Sequence, residues 1–317
     1  LKRANKLDSM NKKVKQSLKD YPREMIGYGQ DSMNPMWPNN SRIAVQFVLN
    51  YEEGGENSIL HGDDASETFL SEIIGAKAYV GSRHMSMESI YEYGSRAGVW
   101  RILRLFKEFN IPITIFAVGL AIARNRELAD YLVEHNYDIC AHGFRWIDYQ
   151  FVEEKIEREH IKDCISILTE FLGKRPEGWY TGRNSPNTRK LIIEEGGFLY
   201  DSDAYDDDLP YWANKFDTDK KHLIIPYTLD VNDMRFASPQ GFNSGDQFFN
   251  YLKDSFDTLY QEGGTSPKMM SVGMHARILG RPGRLMAMRR FLQYISTFEN
   301  VWLCSRREIA DHWYKNF

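Results

Sequence analysis

The sequence predicts an α/β fold, a closed or nearly closed (β/α) barrel of about seven parallel strands. Three observations lead there. From Ser95 onward, short apolar runs alternate with helix-period segments, the mark of parallel strands under helical cover. The run from Val45 to Tyr51 is almost wholly apolar and stops at two adjacent carboxylates, Glu52 and Glu53, as a strand buried on both faces would. Finally, about seven strand–helix units fit into 317 residues without a sequence repeat, which favours a barrel over an open sheet.

Taken in order, residues 1–20 are lysine-rich and weakly patterned and read as an N-terminal arm. Residues 21–317 read as a single domain. The piece from Tyr21 to Asn40 is dense in Pro, Gly and aromatic residues, an ordered wrap without regular structure. The first strand spans Ile43 to Leu49. A long insertion from Gly54 to Tyr93 follows, with few helix-period signals and a polar cluster from Arg83 to Glu88. Loops of that length in compact domains are usually lids or binding loops, so it is a candidate wall of the site. Further strands are expected at Ile113–Val118, Tyr137–Ala141, Gly178–Tyr180, Phe198–Tyr200, Leu223–Thr228, Met269–Met274 and Val301–Cys304. Helices fall at Trp100–Phe106, Arg126–Glu134, Val152–Leu172, Ser185–Glu195, Gly245–Gln261, Pro282–Phe298 and from Arg306 onward.

Composition excludes several functions. With 40 basic against 44 acidic residues there is no electrostatic reason to bind nucleic acid or a membrane surface. The three cysteines, Cys140, Cys164 and Cys304, are too few and too widely spaced for a disulfide framework or a zinc cluster. They read as buried thiols. No apolar stretch reaches membrane-spanning length and the start lacks a signal-peptide block, so a cytoplasmic location is expected. Because the chain opens on Leu1, a removed leader stays open.

In a parallel barrel the active site lies at the C-terminal ends of the strands. Five polar sets fall at such ends: Glu52 with Glu53, His142 with Arg145, Arg183, Asp230 with Asp233, and His275 with Arg277. One such residue alone has a structural explanation, whereas five at corresponding ends point to a site. Hydrolysing an amide needs a base for the water, an acid for the departing nitrogen and donors for the oxyanion. Glu52 beside Arg183 would be an ionised base, and His275 beside Asp233 a protonated acid.

These residues resemble the motifs of the polysaccharide deacetylase (NodB-type) superfamily: the acidic pair, the His142 segment, Arg183, the Asp230–Asp233 segment and Gly273-Met274-His275. The resemblance implies a distorted barrel that removes N-acetyl groups with a divalent metal. It puts Glu52 at the base position, Glu53 and His142 at metal positions, Arg183 as the residue tuning the base, and His275 as the acid partnered by Asp233. Two departures stand out. Trp146 occupies the place of the second metal histidine, and indole has no lone pair to give. The acidic pair is Glu-Glu where the family has Asp-Asp. Only Glu53 and His142 remain as ligands, enough at most for a weak divalent site, so activity without a metal or other cofactor is expected.

Further segments, among them Asn50–Asn57, Arg83–Gly94, His142–Trp146, Gly178–Arg183 and His275–Arg284, are similar to the cofactor-independent allantoinases that arose within this superfamily. That similarity implies opening of the hydantoin ring of allantoin to allantoate by a cytosolic homo-oligomer, a tetramer. The substrate is then a small molecule. Arg145, Arg277 and Arg281 would supply forks to the ring, Glu53 or Glu88 would accept its N–H groups, and Trp146 would give a flat wall. The alternatives are a chitin or other polysaccharide N-deacetylase, and a non-catalytic binding relative. The long loop favours a closed pocket over a polymer groove.

Overall fold

Nine residues, Ile43–Tyr51, form the strand β1 on which the barrel is built, and every one of them is buried. Alternation divides them between two cores. Ile43, Val45, Phe47, Leu49 and Tyr51 face the surrounding helices, while Ala44 and Val48 pack inside the barrel with Phe116, Tyr180 and Tyr227. The computed structural model describes Lys13, Gln16, residues 21–213 and residues 220–317. The expected arm at 1–20 otherwise lies outside the described residues.

After β1 the chain forms α1 (Met85–Tyr93), a π-helical turn at Gly94–Gly98, and α2 (Val99–Phe109). Next come β2 (Thr114–Ala117), α3 (Gly119–Ala123), α4 (Arg126–Glu134), β3 (Asp138–Ala141), α5 (Glu154–Leu172) and β4 (Gly178–Trp179). These lead to α6 (Thr188–Glu195), β5 (Tyr200–Asp201), β6 (Tyr211–Trp212), β7 (Leu223–Ile224) and α7 (Gly245–Glu262). The chain ends with β8 (Lys268–His275), α8 (Ala276–Leu279), α9 (Pro282–Ile295), β9 (Val301–Leu303) and α10 (Arg306–Asn316).

The sheet runs β6-β7-β5-β4-β3-β2-β1-β8, with β9 beside the first half of β1. All pairings are parallel except β6 with β7. Among the described residues no strand pairing joins β8 back to β6, so the barrel is distorted and open at that seam. The expected strands are present, β1 and β8 longer than expected and the others shorter, and β6 is an addition. Within the insertion, α1 is a helix that few periodic apolar positions announce. All three cysteines are buried and free. Among the described residues no helix is long and apolar enough to cross a membrane.

The barrel interior carries a buried cation at its lower end. Arg306 is 0% exposed. It donates to Gln46 and Ser271 (2.9 Å each), to Ser202 (2.9 Å) and to the carbonyls of Ile225 (2.5 Å) and Pro226 (2.9 Å). The guanidinium thus ties β1, β7 and β8 together through polar groups that would otherwise be buried without partners. Arg306→Ala is expected to cost about 3 kcal/mol or more in a urea titration; a midpoint equal to that of the parent would contradict this role.

Candidate active site

The alternation of β1 continues one step beyond the strand. Asn50 faces the interior, where its amide donates to Tyr227 (3.0 Å) and to the Met274 carbonyl (3.0 Å). Glu52 therefore also points inward and Glu53 toward the helices. Register with β8 sets the partner: Asn50 lies opposite His275, so two residues on, Glu52 meets Arg277. The Arg277 guanidinium donates to Glu52 Oε2 (2.7 Å), to Glu53 Oε1 (3.3 Å) and, through Nε, to the Leu70 carbonyl (2.8 Å). Its carbon lies 4.1 Å from the centre of the Tyr91 ring.

The other oxygen of Glu52 is shared by two imidazoles. Oε1 lies 3.2 Å from His142 Nε2 and 3.5 Å from His275 Nε2. Nδ1 of His142 is turned to the Tyr180 carbonyl (3.0 Å), which fixes the ring. Asp233 holds His275 from behind. It accepts from His275 Nδ1 (2.6 Å) and from the backbone N–H groups of His275 (2.7 Å) and Leu279 (2.9 Å). Asp233 is placed by Asn232, which bridges to Gly273 of β8 and caps the 3-10 turn Asp233–Ala237.

These contacts drive the protonation states apart. Burial alone would raise the Glu52 pKa, but the Arg277 charge, then His275 and His142, hold it well below the ordinary carboxylate value. Burial alone would lower that of His275, yet Glu52 and Asp233 push it up to about 9. Glu53 goes the other way: burial outweighs Arg277 and, with Glu52 beside it, raises its pKa. At neutral pH the cluster presents an ionised carboxylate next to a protonated imidazole, the states that general base and general acid require.

Glu52, His142, Asp233, His275 and Arg277 are brought together as one site. Arg183 is not part of it, which corrects its expected role as the residue tuning the base. Its guanidinium lies over the Trp146 ring (4.2 Å) and contacts Glu67 (3.4 Å), and Arg277 occupies the place against Glu52. Arg145 is likewise spent on Asp63 (2.8 Å) and the Glu56 carbonyl (3.1 Å). Arg281 lies over Tyr93 (3.6 Å) and meets Glu72 (3.4 Å). Glu88 forms a fork with Arg83 (3.0 Å) on the surface, and Glu53 is turned into Arg277. In this state the carboxylates of Glu53 and Glu88 are taken up by arginines, whereas Nε of Arg145 and Nε of Arg281 are buried without a hydrogen-bond partner among the described residues. Trp146 does wall the site, stacked on Phe69 at 5.9 Å with rings 8° apart. Asp230 is exposed and bonded to Thr228 and Tyr251.

The insertion covers the cluster. Asp63, Glu67 and Glu72 meet Arg145, Arg183 and Arg281, and the Leu70 carbonyl meets the buried Arg277, so these arginines hold the segment down. Tyr91 and the Leu70 carbonyl are the components that the sequence did not disclose, since no local pattern announces a contact with Arg277 from so far along the chain, 207 positions in the case of Leu70.

A family model for polysaccharide deacetylase matches residues 83–195. A Schizosaccharomyces pombe protein assigned to the polysaccharide deacetylases is 44% identical over 297 residues, 88% of this chain and 92% of its own. The chain belongs to the polysaccharide deacetylase family. Two solved structures of this kind are similar throughout. The PuuE allantoinase is 60% identical with a TM-score of 0.92, covering 94% of this chain and 98% of that one. A Pseudomonas aeruginosa PAO1 protein assigned as a polysaccharide deacetylase is 59% identical with a TM-score of 0.91, covering 93% and 99%. Like its family, the chain is a hydrolase acting on carbon–nitrogen bonds other than peptide bonds.

The metal that the family resemblance implies does not fit the donors of this deacetylase-family chain. Glu53 is engaged by Arg277 and faces away from His142, and Trp146 supplies no lone pair. Among the described residues no group of three His, Cys, Asp or Glu side chains is arranged to hold an ion.

Glu53 is seated by a close approach of backbone. A Cβ on Gly94 would lie 2.3 Å from Glu53 Oε1 and 2.8 Å from the Arg277 backbone nitrogen. The π-helical turn thus needs glycine where it passes the carboxylate pair, and such turns are frequent at functional sites. Gly94→Ala is expected to displace Glu53 and Arg277 and lower kcat by about 10²-fold, with retained helical circular dichroism; an unchanged kcat would contradict this packing.

Proposed function

We propose that the protein hydrolyses the hydantoin ring of allantoin to allantoate by acid–base catalysis, without a metal. The observation that carries the reading is enclosure: Glu52 is 1% exposed, His275 4%, Arg277 0% and Trp146 4%. A polymer strand needs an open groove, whereas a small planar ring needs a pocket that shuts over it. The likeness to an allantoinase over nearly the whole of both chains supports the same substrate.

In this mechanism the covering segment lifts to admit allantoin, and the ring lies against Trp146. Glu52 takes a proton from a water molecule as its oxygen attacks the ring carbonyl carbon, giving a tetrahedral oxyanion. His275 delivers the proton on Nε2 to the ring nitrogen, and the C–N bond breaks. The products are a carboxyl group and an N–H on the former ring nitrogen, and the carboxyl group then ionises. Proton transfer from Glu52 back to His275 restores the starting states. Asp233 holds the imidazole in orientation and stabilises its charge.

The second reading, removal of acetyl groups from amino sugars, is favoured by the names of the yeast and P. aeruginosa relatives. It uses the same base and acid on an acetamide. Parallel assays of allantoin and N-acetylglucosamine oligomers, each with and without chelator, separate the two. Turnover of allantoin alone, indifferent to chelator, is expected; turnover of the oligomers alone, or loss on chelation with recovery on adding zinc, would overturn the proposal. Glu52→Gln should lower kcat by roughly 10²- to 10⁴-fold.

The pH profile follows from the two shifted groups. Activity requires ionised Glu52, whose pKa is lowered, so the acid limb should lie below the ordinary carboxylate range. It requires protonated His275, so rate should fall as pH rises through about 9. Asp233→Asn removes a charge that raises the His275 pKa and should move the basic limb to lower pH. A basic limb that stays in place would count against His275 as the acid.

A further inference from the structure

The covering segment, the carboxylate pair and the β8 end meet on Arg277. We infer that this guanidinium is the electrophile of the reaction: a fixed cation in the protein that does the work a divalent ion would do at such a site. The inference rests on the C–N hydrolysis proposed above and adds a group that the base–acid pair leaves missing, the stabiliser of the oxyanion.

Four observations carry it. Arg277 is 0% exposed, so its charge acts in a water-poor setting where it is not screened. It bridges Glu52 and Glu53, the carboxylates that the family resemblance puts at the base position and at a metal position. Its orientation is fixed on three sides by the Leu70 carbonyl, the face of Tyr91 and the two carboxylates. The same nitrogen that touches Glu52 Oε2 at 2.7 Å carries a second N–H, and among the described residues that N–H has no protein acceptor. An oxygen developing negative charge beside a water activated by Glu52 falls within reach of this donor. A guanidinium also has what the position demands over an ammonium: a planar fork serving both carboxylates, a donor to spare, and a flat face to lie on tyrosine.

Two consequences follow for the chemistry. Arg277 keeps Glu52 ionised before the reaction and gains a stronger partner as the oxyanion forms, which is the differential binding that lowers a barrier. Nothing is oxidised or reduced, and no proton leaves the guanidinium. When the tetrahedral intermediate collapses to a carboxyl group and that group ionises, the product anion stays within reach of Arg277.

The test uses the full chain with allantoin as substrate. Arg277→Ala is expected to lower kcat by about 10²- to 10³-fold, as loss of an oxyanion donor does. Millimolar guanidinium chloride should restore at least a tenth of the lost rate, whereas equal sodium chloride, ammonium chloride, zinc or cobalt should not. Arg277→Lys keeps a charge but not the fork, and should lose more than tenfold in kcat with KM changed far less. It also serves where the alanine variant fails to fold, as judged by its thermal transition. Alanine or lysine variants at the parental rate, or recovery with zinc instead of guanidinium, would overturn the inference. Failure of the parent protein itself to open allantoin would instead overturn the substrate assignment, and the same variants would then be assayed on N-acetylglucosamine oligomers.

Discussion

Two neighbouring carboxylates buried at the end of one strand form an arrangement that stands only if a cation is buried with them. Removing one partner of a buried ion pair typically costs several kcal/mol, because the remaining charge is left without water or counter-charge. Here the cation is Arg277, and much of the local architecture serves that contact. Register of β1 against β8 brings Glu52 level with it. The glycines of the π-helical turn let the backbone pass close to Glu53 and to the start of α8. Tyr91 and the Leu70 carbonyl close the remaining sides.

That one contact also separates the two protonation states on which the chemistry turns. With Arg277 on one oxygen of Glu52 and two imidazoles on the other, the carboxylate is ionised in spite of its burial. The negative charge so maintained, together with Asp233, keeps His275 cationic in spite of its burial. The proposed base and acid stabilise each other's working state, a recurrent way of running acid–base chemistry near neutrality. Trp146, 5.2 Å from the Arg277 guanidinium, puts an apolar plate where the family resemblance implies a metal histidine.

Much of this was legible in the sequence. A mostly apolar run ending in Glu52-Glu53 marks the strand and the rim of the site because a strand buried on both faces admits few polar residues, here Gln46 and Asn50, each hydrogen-bonded, before two adjacent carboxylates. His142 and His275 were legible on the same reasoning, being polar residues directly after apolar runs, while Asp233 stands five residues beyond the expected strand Leu223–Thr228. What was not legible was which cation meets which carboxylate. Arg183 and Arg277 are both arginines just past a strand, and only the order of strands in the sheet decides between them: β8 pairs with β1, whereas β4 is three strands away. The contacts of Arg145 and Arg281 were not legible for a related reason. Their partners, Asp63 and Glu72, lie in the insertion, whose path is set by tertiary contacts and not by any periodic pattern. The helix α1 escaped notice because only Met87 and Tyr91 turn inward, too short a stripe to stand out.

The most direct test of the account is the charge on His275. Nitrogen-15 chemical shifts of the imidazole, assigned with a His275→Gln variant, report both ring nitrogens separately. The account predicts that both carry protons at neutral pH and that the ring titrates at about 9. A neutral imidazole at pH 7, with one nitrogen bare beside Glu52, would contradict it.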